Sequence, residues 1–477
     1  MATTLIWFRQ DLRLCDHRPL TRALELGHDV VCCYVYDQTT PGRNRIGGAS
    51  RWWLHHALSD IQSQLEKLGG RLVLRQGDYE KVIPALAEEC GADAVYFSRN
   101  YEPFMQNVEQ AIKKTLDERD VTVRRFAGNI LFDPDQLRTK GGTPFKVFTP
   151  FWRNCRSLPP PVEPLPAPDS IAFATRQPDS EALEDWKLLP TKPDWTTQFV
   201  KEWQPNEEAA HEALQQFLES SVGRYRDARN LPAKKGTSRL SPYLHYGQVS
   251  PAQVYHATTA HLAEQVKDTD GGDTFLSEIG WREFSYHLLN QFPELPHSEF
   301  RANFKKFPWK KNAKALKAWQ QGQTGFPIVD AGMRELWATG WMHNRVRMIV
   351  GSFLVKDLLI PWQQGAAWFW DTLVDADLAS NSASWQWVSG CGADAAPYFR
   401  IFNPILQGQK FDTEGDYVRR WVPELADVPK KWIHNPSEAP TDVLRAAGVV
   451  LGKDYPKPMI DRKAARQRAL DAFAQIK

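Results

Sequence analysis

The sequence predicts an α/β domain with a doubly wound, Rossmann-like parallel sheet, joined by a long proline-rich linker to an all-α domain. The chain has 477 residues, 42% hydrophobic and 24% charged, which is ordinary for a soluble globular protein. That length suits two or three domains. Two observations support the division: strand-like and helical patterns alternate up to about residue 130, and helical patterns dominate from about residue 206.

The predicted α/β domain covers residues 1–130. Its strand candidates are Thr4–Phe8, Val30–Tyr36, Arg71–Arg75, Ala94–Phe97 and Val121–Arg125. Helical periodicity is found over Ala49–Leu68, Tyr79–Glu89 and Phe104–Asp120. This alternation is typical of a parallel sheet covered on both faces. The first strand is not followed by G-x-G-x-x-G, which disfavours a dinucleotide dehydrogenase.

Residues 131–205 are predicted to form the linker, because they lack periodicity and are rich in proline. The runs Leu158–Pro161 and Pro164–Pro168 restrict the backbone to an extended path. Residues 206–477 form the predicted helical domain. Helix boundaries are expected there at Pro232, Pro251, Pro308 and Pro361.

Composition excludes several classes of protein. The six cysteines show no C-x-x-C spacing and no histidine pair in register, so neither a metal site nor a disulfide framework is predicted. No signal-peptide core precedes the first strand, and the apolar stretch Met348–Ile360 contains two charged residues and is too short to span a bilayer. A protein of the cytoplasm is therefore expected.

Tryptophan and basic charge are concentrated in one part of the chain. Ten of the 19 tryptophans lie between Trp281 and Trp387. The net charge of the whole chain is only +2, yet the segment from Trp281 to Arg347 holds 11 Lys and Arg against 5 Asp and Glu. Basic charge interleaved with aromatic rings is typical of a nucleic-acid surface, although a solvated charged face would give the same count.

The segment Gly236–Pro242 places hydroxyl residues and an arginine before a proline suited to the first position of a helix. Free backbone N–H groups, hydroxyls and a guanidinium could hold a phosphate or pyrophosphate there. The alternative is an ordinary helix cap.

Three helical segments, which we call the three stripes, each place polar and large apolar residues on one face. Their members are Glu278, Trp281 and Arg282; Asn344, Arg347 and Met348; and Asp377, Asn381 and Trp385. Burying such charges is costly unless each finds a partner. A polar aromatic ligand would supply partners, and the alternative is a salt-bridge network between helices. Trp387, two residues beyond Trp385, is expected to face a different pocket.

Further motifs follow one another along the chain. They are Trp7–Leu14, Gly236–Leu240, Trp281–Phe284, Gly325–Asp330, Thr339–Arg345, Asp375–Leu378 and Arg400–Pro404. With them the chain resembles the photolyase/cryptochrome flavoprotein family over nearly its whole length. The resemblance implies an N-terminal antenna domain and a helical domain that holds FAD in a bent conformation, beneath a cavity for a flipped pyrimidine dimer.

The resemblance also implies residue roles. FAD is expected to contact Tyr225, Thr237, Ser238, Arg239, Leu240, Ser241, Glu278, Arg282, Asn344, Arg347, Asp375, Asp377 and Asn381. The lesion is expected to meet Glu278, Trp281, Asn344, Met348 and Trp387, and the DNA backbone Arg229, Arg345 and Arg400. Among the catalytic positions, Glu278 hydrogen-bonds the lesion and Asn344 holds the reactive ring nitrogen of the flavin. Trp385, Trp362 and Trp309 match the tryptophan chain that photoreduces the flavin.

Within the family, the chain is most similar to the class III cyclobutane-dimer photolyases, the sister group of plant cryptochromes. Asn344 favours dimer repair, because plant cryptochromes usually have an Asp at this position. Six-four photolyases place histidines at the positions of Asn344 and Met348 to protonate their lesion, so six-four activity is not expected. A cryptochrome-type photoreceptor is the alternative.

A second, light-harvesting chromophore is implied by the same resemblance. Residues that hold folate in class I enzymes would fall near Phe104 and Met105, which cannot grip a pterin through charge-assisted hydrogen bonds. Methenyltetrahydrofolate in a differently placed pocket is expected, with a deazaflavin as the alternative. The predicted protein is a metal-free monomer of the bacterial cytoplasm that binds UV-damaged DNA containing cyclobutane pyrimidine dimers.

Overall fold

The computed structural model describes residues 1–40, 42–264, 270–395 and 399–477. The described residues form one five-stranded sheet whose strands are β1 (Thr3–Phe8), β2 (Asp29–Tyr36), β3 (Leu72–Gln76), β4 (Ala94–Ser98) and β5 (Thr122–Phe126). All neighbouring strands are parallel, in the order β3-β2-β1-β4-β5. This is the doubly wound, Rossmann-like arrangement that the sequence predicts.

Helices cover both faces of the sheet. They are α1 (Arg18–Glu25), α2 (Gly48–Lys67), α3 (Tyr79–Cys90) and α4 (Pro103–Asp117). Leu5, Ile6 and Trp7 are all fully buried although successive side chains point to opposite faces, which explains the continuous apolar run of β1. The predicted strands and helices are present within three residues of their observed ends. Helix α1 was not predicted, because its eight residues follow a charged loop and are too few to show a clear period.

The segment 131–205 is packed against the rest of the chain along much of its length. It contains α5 (Phe148–Cys155) and α6 (Phe199–Glu202). Phe173 forms a parallel bridge with Val30 at the start of β2, and the Trp186 ring stacks on Tyr36 with centroids 5.4 Å apart. Proline dominates its composition and hides the helical pattern of α5.

The remainder of the chain is helical. Its helices are α7 (Glu207–Ser220), α8 (Tyr225–Ala228), α9 (Ser241–Tyr246), α10 (Pro251–Glu264), α11 (Asp270–Gln291), α12 (Ala313–Gln320), α13 (Pro327–Thr339), α14 (Asn344–Ser352), α15 (Trp362–Thr372), α16 (Leu378–Ser389), α17 (Pro404–Phe411), α18 (Asp416–Trp421), α19 (Thr441–Ala446) and α20 (Arg462–Ala474). A π-helical turn, Phe353–Asp357, continues α14. Pro251 and Pro361 stand at helix starts, where a missing N–H costs nothing.

The α/β and helical parts share a hydrophobic core. Trp53 of α2 contacts Trp203 and Tyr243 edge-on, at 5.5 and 5.1 Å between centroids. Its indole N–H donates to Gln248 at 2.9 Å. This packing fixes the sheet against the helices that carry the three stripes. In the described part of the chain, no helix is long and apolar enough to cross a membrane.

Candidate functional site

The three stripes meet around the same cavity, which has a volume of about 500 Å³. All nine stripe residues line it, together with Tyr225, Arg229, Ser238, Leu240, Ser241, Asp375 and Trp387. Helices α11, α14 and α16 therefore bring together residues that lie more than a hundred positions apart. Trp387 and Trp385 line this one cavity, so the expectation that they face separate pockets is wrong.

On the α11 side of the cavity, Glu278 is ion-paired. Its Oε1 lies 2.5 Å from Nη1 of Arg229. Burial raises the pKa of Glu278, and the charge and hydrogen bond of Arg229 only partly oppose this effect. The carboxyl thus stands at the cavity wall with a pKa above its usual value, although it is ion-paired.

On the α14 side, Arg347 and Asp375 form a buried polar cluster. Nη2 of Arg347 donates to both carboxylate oxygens of Asp375, at 3.1 and 2.8 Å. The Ser241 hydroxyl donates to Asp375 at 2.6 Å, and the Trp341 indole N–H donates to that hydroxyl at 3.3 Å. Asn344, the first residue of α14, is exposed to the cavity. The cluster orders one wall before any ligand binds.

Asp377 is the centre of a second polar cluster. It caps α16 by accepting from the Ser380 N–H at 2.7 Å. Its other oxygen accepts from the Tyr286 hydroxyl at 2.5 Å and lies 3.5 Å from His245 Nδ1. Burial alone would raise the pKa of Asp377, but His245, Arg282 and Tyr286 outweigh it and hold the pKa well below the usual range. Asp377 is therefore an anion in the cavity wall.

His245 and Tyr286 were missed by the sequence reasoning. Each lies four residues beyond a predicted site residue, His245 after Ser241 and Tyr286 after Arg282. Extending the first stripe by one helical turn would have found Tyr286, and extending the segment Gly236–Pro242 in the same way would have found His245.

The segment Gly236–Pro242 reaches the cavity only in part. Ser238, Leu240 and Ser241 line it, whereas Thr237 and Arg239 are not among the lining residues. Arg239 adopts a φ of +53°, lies over the Trp203 ring at 4.2 Å and pairs with Glu202 at 3.0 Å. Helix α9 has only six residues, so hydroxyls and guanidinium groups, rather than a helix dipole, would hold an anion here.

The tryptophans lie at different depths. Trp385 lines the cavity and is 3% exposed. Its ring packs directly against the backbone of Gly365 in α15, where a side chain would collide with it. Trp362, one turn earlier on α15, is 1% exposed. The backbone of Leu359 accepts from Lys310 N–H at 2.7 Å, next to the half-buried Trp309. Trp385 and Trp362 are thus buried, whereas Trp309 is partly exposed.

The remaining predicted DNA contacts lie outside the cavity lining. Arg345 donates to Asn230 at 2.5 Å and its guanidinium lies 4.5 Å from the centroid of the Phe411 ring. Arg400 is exposed, and its backbone carbonyl accepts from the buried ammonium of Lys356. Arg229, by contrast, is in the cavity wall and bound to Glu278.

The cavity wall suits FAD. Arg347, Arg282, Ser238 and Ser241 supply donors for a pyrophosphate or ribose, and apolar groups such as Leu240 and Phe369 supply surface for a ring system. A site of this volume, mostly apolar with a few convergent polar groups, is typical of a cofactor pocket.

A second cavity, of about 370 Å³, lies at the carboxyl ends of β1, β2 and β4; we call it the sheet-edge cavity. Parallel sheets bind ligands where the strand order reverses, here between β1 and β4. Its lining includes Tyr36, Arg51, Glu102, Phe104 and Met105. Trp370 lines it too, and His245 lines both cavities.

One group of possible metal ligands occurs among the described residues. Donor atoms of Cys15, Glu207 and His211 lie within 4.8 Å of one another. Both oxygens of Glu207 already accept from the backbone N–H groups of Leu14 and Cys15, at 2.8 and 2.9 Å. The carboxylate thus anchors the loop after β1 to α7.

Comparisons with known proteins agree with this geometry. Residues 4–169 match the family model for DNA photolyase, and residues 275–475 match the FAD binding domain of DNA photolyase. The chain is 50% identical over 476 residues to a deoxyribodipyrimidine photo-lyase of Agrobacterium fabrum, covering 100% of this chain and 98% of that one. It is 36% identical to cryptochrome-2 of Arabidopsis thaliana, over 99% of this chain and 79% of that one.

Solved structures show the same pattern. A bacterial class III photolyase from Agrobacterium tumefaciens superposes with a TM-score of 0.96 at 50% identity, covering 100% of this chain and 98% of that one. A cryptochrome from Synechocystis superposes with a TM-score of 0.90 at 30% identity, covering 99% of both chains.

Proposed function

This chain belongs to the DNA photolyase and cryptochrome family, and we propose that it is a deoxyribodipyrimidine photo-lyase that splits cyclobutane pyrimidine dimers in light. The observation that carries the proposal is the convergence of the three stripes on one cavity, with a carboxyl, an amide and two tryptophans in its wall. When bound and fully reduced, FAD supplies the electron that opens the cyclobutane ring on illumination and takes it back afterwards.

The chain's own residues bind and orient the two ligands. Arg347, Asp375 and Ser241 already hold one another, so little reorganisation is needed when the cofactor binds. Asn344 stands at the start of α14 with its amide free to hold the reactive ring nitrogen of the flavin. Glu278, with its raised pKa, hydrogen-bonds the lesion.

Trp281 and Trp387 hold the flipped pyrimidines by stacking and apolar contact. Such stacking is worth about 1–3 kcal/mol per base, and a damaged step costs less to unstack than an intact one. Arg345 and Arg400 contact phosphates near the opening, which makes binding dependent on salt but largely independent of sequence. Arg229 also orients Glu278.

We propose that an external reductant, such as a thiol, supplies the electrons that reach the flavin through Trp309, Trp362 and Trp385. The role of these tryptophans is to return the cofactor to its reduced state between exposures. The electron that splits the dimer does not pass through them.

A light-harvesting chromophore occupies the sheet-edge cavity in this proposal. Methenyltetrahydrofolate is favoured and a deazaflavin is the alternative. Phe104 and Met105 line this cavity, so it overlaps the position expected for folate in class I enzymes, and polar residues elsewhere in the wall, such as Arg51, would have to bind the pterin. The support is the position at the sheet's switch point, the shared wall residue His245, and arginines that would attract a carboxylate tail. We place the protein in the bacterial cytoplasm as a monomer acting on UV-damaged DNA.

The decisive experiment is light-dependent loss of cyclobutane dimers from an irradiated oligonucleotide by FAD-loaded, chemically reduced protein. We expect dimers to disappear under blue or near-UV light and to persist in the dark. Persistence of dimers in both conditions defeats the proposal.

A cryptochrome-type photoreceptor is the second candidate, favoured by the 36% identity to a plant cryptochrome and the 0.90 TM-score to a bacterial one. Such a protein binds and photoreduces FAD but leaves dimers intact. The same assay therefore separates the two functions.

A further inference from the structure

The stretch Lys146–Phe148, which the sequence reading assigned to the linker, contacts the elements that carry both lesion-facing tryptophans. We propose that Phe148 is a positioning residue for Trp281 and that residues 146–148 set the gap between Trp281 and Trp387. This inference rests on the proposed function, because it concerns the residues that would hold the dimer.

The first contact is a ring stack. Phe148 and Trp281 lie 3.9 Å apart between centroids with their planes 9° from parallel. Trp281 lines the cavity, whereas Phe148 does not and is 8% exposed. Phe148 therefore covers the back of the indole and leaves the opposite face for a base.

The stack is held in place by the packing of α5 on α11. A Cβ on Gly280 would stand 2.6 Å from the Trp152 ring, so glycine is required for the two helices to approach this closely. Phe284 packs edge-on against both Trp281 and Phe148, at 5.9 and 6.0 Å between centroids. The Trp281 ring thus has little room to rotate.

The second contact reaches Asp394, which follows α16, the helix that carries Trp387. The Phe148 N–H donates to Asp394 Oδ2 at 3.3 Å, and the Asp394 N–H donates to the Lys146 carbonyl at 3.1 Å. Asp394 adopts a φ of +51°, a costly conformation for a residue with a side chain, which is retained where surrounding contacts enforce it.

The turn before Asp394 folds back onto α16. The Gly392 N–H donates to the Gln386 carbonyl at 2.9 Å, and a Cβ on Gly392 would stand 2.8 Å from the Trp387 nitrogen. Residues 146–148 are therefore linked on one side to the Trp281 ring and on the other to the backbone of Trp387. A shift of this segment would change the slot between the two rings.

The test measures how tightly FAD-loaded native protein, Phe148→Leu and Phe148→Tyr bind an oligonucleotide with one cyclobutane dimer. The same oligonucleotide without the dimer is the comparison. A face-to-face aromatic pair contributes enough that Phe148→Leu should bind the dimer about three- to tenfold more weakly. Affinity for undamaged DNA and its salt dependence should not change, because no phosphate contact is lost. Phe148→Tyr keeps the ring and should restore dimer affinity.

Epistasis distinguishes positioning from general packing. In a Trp281→Ala background, Phe148→Leu should cause no further loss of dimer affinity. Val147→Ala, at an exposed neighbour, is the matched control and should have no effect. An equal loss on both DNAs, or an undiminished loss in the Trp281→Ala background, overturns the inference.

Two further outcomes keep the inference and the proposed function apart. If the native protein repairs dimers but Phe148→Leu binds dimer DNA over undamaged DNA as selectively as the native protein does, only the inference fails. If the native protein neither repairs dimers nor binds dimer DNA more tightly than undamaged DNA, both the inference and the proposed function fail. Should Phe148→Leu not fold, Asp394→Gly removes the carboxylate link and relieves its backbone strain. We expect the same selective loss from it, and an intact preference overturns the inference.

Discussion

The cavity lined by the three stripes and the sheet-edge cavity are built in different ways. The larger one is walled by helices whose polar groups already pair with one another, as in Arg347–Asp375–Ser241 and Tyr286–Asp377–His245. The sheet-edge cavity is walled by strand ends, loops and residues of several helices, among them Arg51 of α2 and Asp371 of α15. Its carboxyl Glu102 has its pKa raised to about 8, first by burial and then by the charge of Asp377.

This difference predicts that substitutions in the two cavity walls have effects of different size. A wall of mutually ordered charges is expected to bind one cofactor tightly and to fail when one member is removed. In the proposed function the sheet-edge cavity holds only the auxiliary light-harvesting chromophore. We therefore expect substitutions in the larger cavity to abolish function and those in the sheet-edge cavity to reduce its efficiency.

Trp385→Phe should cause the largest effect. Replacing the buried ring at the cavity removes the first member of the proposed electron path, so photoreduction of FAD should fall by at least about a hundredfold, while repair by chemically reduced protein stays near the native level. Photoreduction is measured as bleaching of the flavin absorption under blue light in the presence of a reductant. Repair is measured with the dimer assay.

Trp319→Phe is the matched control, because Trp319 touches Trp385 edge-on at 6.3 Å but lies outside the proposed path. Parallel loss of photoreduction and repair in Trp385→Phe would contradict the assignment.

Asp375→Asn should weaken FAD binding by about 2–3 kcal/mol, because it leaves the part-buried Arg347 guanidinium without its anionic partner. The flavin-to-protein ratio after gel filtration and a fluorescence titration with FAD measure this loss. Asp270→Asn breaks an exposed pair with Arg226 and should change FAD affinity by less than about 0.5 kcal/mol. Full FAD retention by Asp375→Asn would show that the cluster is not part of the cofactor site.

The larger cavity could be predicted because its chemistry repeats at helical spacing. Glu278, Asn344 and Asp377 each stand in a short motif, so local periodicity identifies the face that carries them. Tertiary packing determines how the three faces converge and that Arg229 pairs with Glu278. No local sequence pattern predicts either feature.

The sheet-edge cavity and the role of α5 could not be predicted in this way. Their residues come from strand ends, loops and several helices, as distant as Arg9 and Asp371, with no common period. Phe148 stands in a stretch whose prolines indicate a linker, and only the folded chain places it behind Trp281.

Arg51→Glu should lower the affinity for methenyltetrahydrofolate by about tenfold, or ~1.4 kcal/mol, because it reverses a charge facing the sheet-edge cavity. Repair in limiting light should then fall, while repair in saturating light should remain at the native rate. Titration of the folate absorption and dose–response curves measure both. A loss in saturating light would mean that the two cavities are not separable as proposed.

Glu102→Gln should give the smallest effect, a change in how the free energy of unfolding depends on pH. It tests whether the charge of Asp377 acts on Glu102 through the wall between the two cavities. The folded-state pKa of Glu102, about 8, lies above the usual value for an unfolded chain, so the native protein binds more protons than the unfolded chain between about pH 5 and 8. Its contribution to stability is complete at low pH and is lost as the pH rises through 8. Glu102→Gln removes this dependence, so the free energy of unfolding of the native protein should fall more steeply with rising pH across this range than that of the variant. Urea unfolding at several pH values measures the difference, with the exposed Glu66→Gln as control. Equal slopes for native protein and Glu102→Gln would mean that the carboxyl is hydrated, and that Asp377 does not act across the wall.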